Sequence, residues 1–381
     1  MMCMPGHPYT FGLEEEYFLV RRNARRLRHM PRAFFDECRV AIGDVQFGHE
    51  LLQTQVEVQT AVHRDTGEAR RDLIGLRTRV AQVAQRHGLA ILAAGTHPRE
   101  SWRQQRSTVK PHYDQVMAQL QLPGRRNLLC GLHVHVQPAD VDARIDLMRR
   151  VQPFLPMLLA LSTSSPFWMG QPTGLMGYRQ TAYQEIPRTG LPPLFVDQAG
   201  YDRYLRRLIQ SGAIENAGFL WWALRPSLNF PTLELRVTDC CTSAEDALAI
   251  AQLFRCLIRY LERQPQLHAG LDAGVQAIVA ENLWRAQRYG FDAGLIDLSS
   301  NRLVSMREMF RNLQQVLVED VAALGVEAEF DHLWHILQTG TSAHRQMEIY
   351  REIRAQGASR SDALQAVVDW LTQASVPTMP G

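Results

Sequence analysis

The chain has 381 residues, 46% of them hydrophobic and 21% charged, with a formal net charge of +2. That length suits one large domain or two ordinary ones with room for a real core, and the composition matches an ordinary soluble globular enzyme. A charge so close to balance argues against nucleic acid or an anionic membrane as the main partner.

The opening residues, MMCMPGHPYT, lack a basic region followed by a long apolar stretch, so no signal peptide is expected. No uninterrupted apolar run approaches membrane-spanning length. The cysteines Cys3, Cys38, Cys130, Cys240, Cys241 and Cys256 form no C-x-x-C pair, which leaves a zinc knuckle or thioredoxin motif unsupported. Free thiols without an export signal predict a cytoplasmic protein. Cys240 and Cys241 are expected to pack as small apolar residues.

Tyr9–Val20 reads as a strand, with Phe11, Leu13, Tyr17 and Leu19 at alternate positions. Arg21, Arg22, Arg25, Arg26 and Arg28 follow as a solvated hairpin tip. Leu51–Thr60 alternates Leu52, Val56 and Val58 against Gln53, Gln55, Glu57 and Gln59, and helical spacing predicts a helix over Glu68–His87. Leu128–Gln137 is a third strand, setting Cys130, Leu132, Val134 and Val136 against His133, His135 and Gln137. A helix is predicted over Val141–Ser162, then Pro- and Gly-rich loops at 165–177 and 186–193, long enough to act as binding lids. Thr232–Asp239 is a fourth strand, with Glu234 and Arg236 on one face. Ser243, with Asp246 three residues on, opens a helix whose buried stripe is Leu248, Ala251, Phe254, Ile258 and Leu261. Further helices are predicted over 273–288, 302–324 and 361–373. The chain reads as a single domain over 1–381, strand-rich over about 9–240 and helical over about 241–375. Strands and helices do not alternate strictly, which predicts an α+β fold whose antiparallel sheet carries a polar face and is packed with helices.

Glu14 and Glu16 stand two apart on a strand, so both carboxylates leave one face. They are either a solvated acidic strand or a seat for a hard cation, since like charges side by side repel and divalent ions want carboxylate oxygens. Glu57 sits mid-strand and needs water, a partner or a metal, and Glu50 just before that strand could reach the same place. His133 and His135 project to one face as metal-ligand candidates. Glu234 and Arg236 form either a plain ion pair or a metal ligand beside a phosphate clamp, and Arg225 is a further phosphate or carboxylate binder. Acids, histidines and arginines together suit metals that carry a nucleoside triphosphate. No P-loop or G-x-G-x-x-G motif is present, and His63-Arg64-Asp65 is not a kinase-type H-R-D, since Arg70 stands where that motif needs Asn.

The motifs run in order as Phe11-Gly12-Leu13-Glu14-Glu15-Glu16, Glu50-Leu51-Leu52-Gln53-Thr54-Gln55-Val56-Glu57, Gly95-Thr96-His97-Pro98 and Gly131-Leu132-His133-Val134-His135-Val136. Tyr178-Arg179, Arg225-Pro226-Ser227, Glu234-Leu235-Arg236-Val237-Thr238-Asp239, Arg285-Ala286-Gln287-Arg288-Tyr289-Gly290 and Gly340-Thr341-Ser342-Ala343 complete the set. Over roughly 9–375 the chain resembles the bacterial carboxylate–amine ligases, also called type 2 glutamate–cysteine ligases, which share a catalytic fold with glutamine synthetase. The resemblance implies an ATP- and Mg²⁺-dependent ligase that joins a small-molecule acid to an amine through an acyl-phosphate, with glutamate and cysteine as the family default. It implies that Glu14, Glu16, Glu50, Glu57, His133 and Glu234 hold two or three Mg²⁺ ions. His135 would approach the ATP phosphates, Arg236 would stabilise the transferring γ-phosphoryl group, and Arg225 would bind phosphate or substrate carboxylate. Arg236, Glu57 and Arg225 are the catalytic candidates, with His97 and Arg179 on the substrate side. Ala223, Leu224, Pro231 and Gln53 depart from the family pattern; they leave the metal cluster intact and bear on the acceptor pocket.

Two other readings compete. A metal-dependent hydrolase could build a zinc site on His133 and His135, with His97 or Glu57 as third ligand. A non-catalytic relative could bind nucleotide or a partner protein. A symmetric homodimer is the default assembly.

Overall fold

The computed structural model describes residues 8–377 apart from Ala24 and Ala293; Met1–His7, with Cys3, and residues 378–381 lie outside the described residues. The strands are β1 (Phe11–Arg21), β2 (Phe47–His49), β3 (Gln55–Gln59), β4 (Leu89–Leu92), β5 (Leu132–Val136), β6 (Phe167–Trp168), β7 (Gln171–Pro172), β8 (Leu224–Pro226), β9 (Leu233–Leu235), β10 (Gly294–Asp297) and β11 (Arg302–Ser305). Seven of them form the main sheet in the order β2-β3-β1-β5-β9-β8, with β4 paired to the C-terminal half of β1. Every ladder in that sheet is antiparallel, and the fold is α+β as the strand patterns predict.

The apolar side of β1 presents Leu13, Tyr17 and Leu19, all fully buried. Behind the sheet lie the helices Thr66–Arg86 and Ala244–Arg263, which pack against each other. Asp65 caps the first by accepting from the Glu68 N–H, and Ser243 caps the second by accepting from the Asp246 N–H, as its sequence predicts. One cluster of buried apolar side chains runs from Phe11 to Leu371. Cys240 and Cys241 belong to it, and burial pushes both thiols well above their ordinary range.

Three predictions are corrected. The single helix expected over Val141–Ser162 is broken into the helices Arg144–Arg150 and Leu155–Ser162, flanked or joined by short 3₁₀ turns. Pro153 and Pro156 fall at the break, where each removes a backbone donor and crowds the preceding turn. The helix expected over 302–324 begins instead as β11 of a surface hairpin and resumes as helices Met306–Val316 and Val318–Leu324. Asn301 takes φ 55° in the tight turn before β11, and Ser305 then caps the next helix through the Glu308 N–H. The arginine tip is a hairpin turn closed by a Val20–Leu27 bridge, but it is not simply solvated: Arg25 pairs with Asp369 at 2.7 Å and Arg26 with Glu100 at 3.0 Å. The helices Ala273–Tyr289 and Arg360–Ala374 lie where expected. No helix among the described residues is long and apolar enough to cross a membrane.

Candidate active site

The site is assembled by strand register. Glu16 on β1 lies opposite Glu57 on β3, and Glu14 lies opposite His133 on β5. One step along, His135 on β5 lies opposite Glu234 on β9, which lies opposite Arg225 on β8. Because side chains two apart share a face, these pairings gather the named acids, histidines and Arg225 of five strands on one side of the sheet. Glu50 joins them from the segment after β2, its own carboxylate accepting from the Leu51 N–H at 2.9 Å.

Two ligand groups result. Glu16, Glu50 and Glu57 bring one oxygen each to within 4.8 Å of one another, as Glu14, His135 and Glu234 do with their own ligand atoms. His133 stands between the groups, with Nδ1 3.4 Å from Glu14 and Nε2 3.9 Å from Glu16. His135 Nε2 lies 3.2 Å from Glu14, and its Nδ1 faces the Thr232 hydroxyl at 2.9 Å. The Nε2 atoms of His133 and His135 are buried and make no aligned hydrogen bond among the described residues. The structure thus brings together every metal-ligand candidate that the alternating strands suggest.

The two groups differ electrically. Burial, with repulsion from Glu16, pushes the Glu50 carboxyl up to about 7, and burial with repulsion from Glu14, Glu50 and Glu16 pushes Glu57 well above the carboxylate range. Burial would raise Glu14 as well, but the His135 charge and contacts from both histidines override it and hold Glu14 below its ordinary value. Glu234 is likewise held well down, against burial, by Arg225 and Arg236. Burial, reinforced by Arg236, lowers His133; His135 is raised because Glu14 outweighs its burial. Glu50 and Glu57 are thus both shifted toward their protonated forms, which a hard cation would reverse, and the oxygen donors of the acid-only group suit Mg²⁺.

The arginines are closely held. Arg225 forks onto Glu234 at 2.7 and 3.1 Å and donates to the carbonyls of Gly218 and Leu220. Arg236 donates through Nη1 to Glu234 and, at 3.4 Å, to His133, while its buried Nε has no partner among the described residues. So Glu234 is a metal-ligand candidate already claimed by two guanidinium groups. Arg179 is buried and donates to the Arg236 and Thr238 carbonyls at 3.3 and 3.1 Å. A Cβ at Gly131 would meet Arg179 Nη2 at 2.2 Å, so that position must be glycine for the guanidinium to lie where it does.

Apart from His135 and Glu234, these residues line a cavity of about 230 Å³. Its floor holds Glu14, Glu16, Glu50, Glu57, His133, Arg179, Arg225 and Arg236, and aromatic walls are added by Tyr113, Tyr183, Phe219 and Trp221. His97 does not reach it. Its Nδ1 accepts from the Arg99 and Glu100 N–H groups, and burial, with the charges of Arg99 and Arg26, lowers it to about 3. Sequence reasoning missed Tyr183, whose hydroxyl accepts from Arg236, and the Gly131 N–H, which donates to Glu16 at 2.6 Å. Glycine beside the His-x-His pair was a visible signal for the second; nothing local marks the first.

The model of glutamate–cysteine ligase family 2 matches residues 10–368. The chain belongs to that family. It is 45% identical over 369 residues to a protein of Bradyrhizobium sp. (strain ORS 278) named "Putative glutamate--cysteine ligase 2", covering 97% of this chain and 88% of the relative. A Rhodospirillum rubrum protein of the same name is 44% identical over 372 residues, covering 97% and 96%. Among solved structures, a glutamate–cysteine ligase from Francisella tularensis in complex with AMP superposes with a TM-score of 0.67 at 13% identity, over 98% of this chain and 90% of that one. A bifunctional glutathione synthetase from Pasteurella multocida gives a TM-score of 0.68 at 15% identity, over 96% of this chain and 53% of that one, so this chain spans about half of it.

Proposed function

We propose that this member of glutamate–cysteine ligase family 2 is a cytosolic, Mg²⁺-dependent carboxylate–amine ligase that consumes ATP as a substrate. The observation that carries the reading is the pairing, on one sheet face, of the acid-only group Glu16–Glu50–Glu57 with an adjoining set of two histidines and three arginines. Cations and a polyphosphate each find their own donors there.

Glu14, Glu16, Glu50, Glu57, His133 and Glu234 would hold Mg²⁺, which when bound supplies charge neutralisation at phosphate oxygens. His135 lies beside this set, facing the phosphates in the same reading. A substrate carboxylate attacks the ATP γ-phosphorus, forming an acyl-phosphate and releasing ADP. An amine then attacks the carbonyl carbon, the C–O bond to phosphate breaks, and the amine gives up its proton. Arg236 supplies positive charge where the transferring group gathers negative charge. Arg225 keeps Glu234 ionised and oriented, and Arg179 faces the substrate side of the cavity. Ile186, at the start of the loop 186–193, lines the cavity, and that loop would keep water from the acyl-phosphate; no residue of 165–177 lines it.

A zinc hydrolase on the His-x-His strand gains no support, because neither ligand group contains both histidines. The test is ADP release from Mg²⁺-ATP with glutamate, cysteine, both, and a panel of acids and amines, with the amide detected by mass spectrometry. Release that requires an acid and an amine together is the expected result. Tight zinc with no ADP from any pair would sink the reading.

A further inference from the structure

Tyr183 closes the short helix Tyr178–Tyr183 and lines the cavity with only 9% of its surface exposed. Its hydroxyl oxygen accepts from Arg236 Nη2 at 3.2 Å. Its ring carries the Arg179 guanidinium, whose Cζ stands 5.4 Å from the ring centroid, the two residues being one helical turn apart. We propose that Tyr183 is a positioning residue for Arg236, holding the guanidinium in the orientation that meets the transferring phosphoryl group. This inference rests on the ligase reading of the site.

The ring itself cannot drift. Arg179 donates from its backbone N–H to the Ser165 hydroxyl at 2.9 Å, and Ser165 donates to Asp239 Oδ2 at 2.6 Å. The Arg179 side chain donates to the carbonyls of Arg236 and Thr238. The helix that carries Tyr183 is therefore tied to the segment that carries Arg236, and the hydroxyl is presented at a fixed place. On the other side Arg236 is held by Glu234 and His133 through Nη1. Two anchors on different terminal nitrogens fix the plane of a guanidinium; one anchor leaves it free to turn. The buried Nε of Arg236 has no acceptor among the described residues. With Arg236 donating to the Tyr183 oxygen, the hydroxyl proton is available to a cavity acceptor.

Such a residue has a distinct signature. An arginine aimed at charge that builds during transfer contributes little to ground-state nucleotide binding, so loss of its anchor falls on kcat and spares the KM for ATP. Tyr183→Phe removes the hydroxyl and leaves the ring under Arg179.

The experiment compares the full-length wild type with Tyr183→Phe in three measurements: thermal midpoint, binding of Mg²⁺-ADP with and without fluoroaluminate as a mimic of the transferring group, and steady-state kinetics. The expected variant melts with the wild type and binds Mg²⁺-ADP equally well. Its fluoroaluminate-dependent tightening falls by roughly 10- to 100-fold, the worth of one hydrogen bond to a charged group, and kcat falls in step. Tightening equal to wild type would overturn the proposal, as would a uniform loss of ADP affinity with a lowered midpoint, which marks a structural role. If the wild type tightens on fluoroaluminate yet turns over no acid–amine pair, the ligase reading fails while the binding arm still decides the role of Tyr183. Absence of any Mg²⁺-ADP binding by the wild type defeats both.

Discussion

Neighbouring glutamates of β1 meet opposite fates. Glu15 points behind the sheet, wholly buried, and Arg77 from helix Thr66–Arg86 forks onto it at 2.6 and 2.8 Å. The Tyr17 hydroxyl adds a 2.5 Å bond, and Arg77 donates also to the Cys241 and Thr242 carbonyls. Every charge there has a partner of opposite sign, and the cluster can do nothing but hold the sheet to its helices. Glu14 and Glu16 point to the other face, where Glu16 joins Glu50 and Glu57 in a group of like charges that raises the last two. The matched Glu15–Arg77 pair needs no further partner, whereas a bound cation would relieve the repulsion among the three acids on the other face.

Breaking the matched side should give the largest effect. Arg77→Met strands Glu15 in the core and is expected to cost about 3–5 kcal/mol, read by urea unfolding. Adding Glu15→Leu should recover much of that loss, and a double variant as unstable as the single would show that the pair is not the cause. On the unmatched side, Glu57→Gln should leave unfolding stability in metal-free buffer unchanged or higher, since it removes a repelling acid. Turnover should fall by about 100- to 1,000-fold, as should that of Arg236→Ala. Full activity in either purified, folded variant contradicts the site assignment.

A pH series sharpens the contrast without mutation. The folded Glu50 carboxyl holds its proton up to about 7, against an ordinary 4.5. Across that window the unfolded chain binds fewer protons, so metal-free stability falls as pH rises from about 4.5 to about 7. Glu57, raised in the same direction, adds to the fall. Mg²⁺ should restore the thermal midpoint by a few degrees near neutrality and have little effect in acid. A midpoint indifferent to Mg²⁺ at both pH values would argue against a cation seat. The smallest change expected is Tyr17→Phe, which leaves Arg77 on Glu15 and should cost about 1–2 kcal/mol, with turnover intact.

The sequence by itself determined which side chains share a face. Period-two alternation groups Glu14 with Glu16, His133 with His135, and Glu234 with Arg236, because side-chain direction in a strand depends only on position along it. It also determined the start of the helix capped by Ser243, a contact spanning three residues. The tertiary structure alone decided which faces meet. Glu16 opposite Glu57, and Glu234 opposite His135, follow from strand neighbours brought together across long connections, while Arg225 reaches Glu234 across a short hairpin. Only packing revealed that Glu15, one of three adjacent acids in the chain, is silenced by an arginine 62 residues away. Tyr183 was hidden for the same reason: its role lies in a bond to Arg236, and no local pattern encodes a partner supplied by another part of the fold.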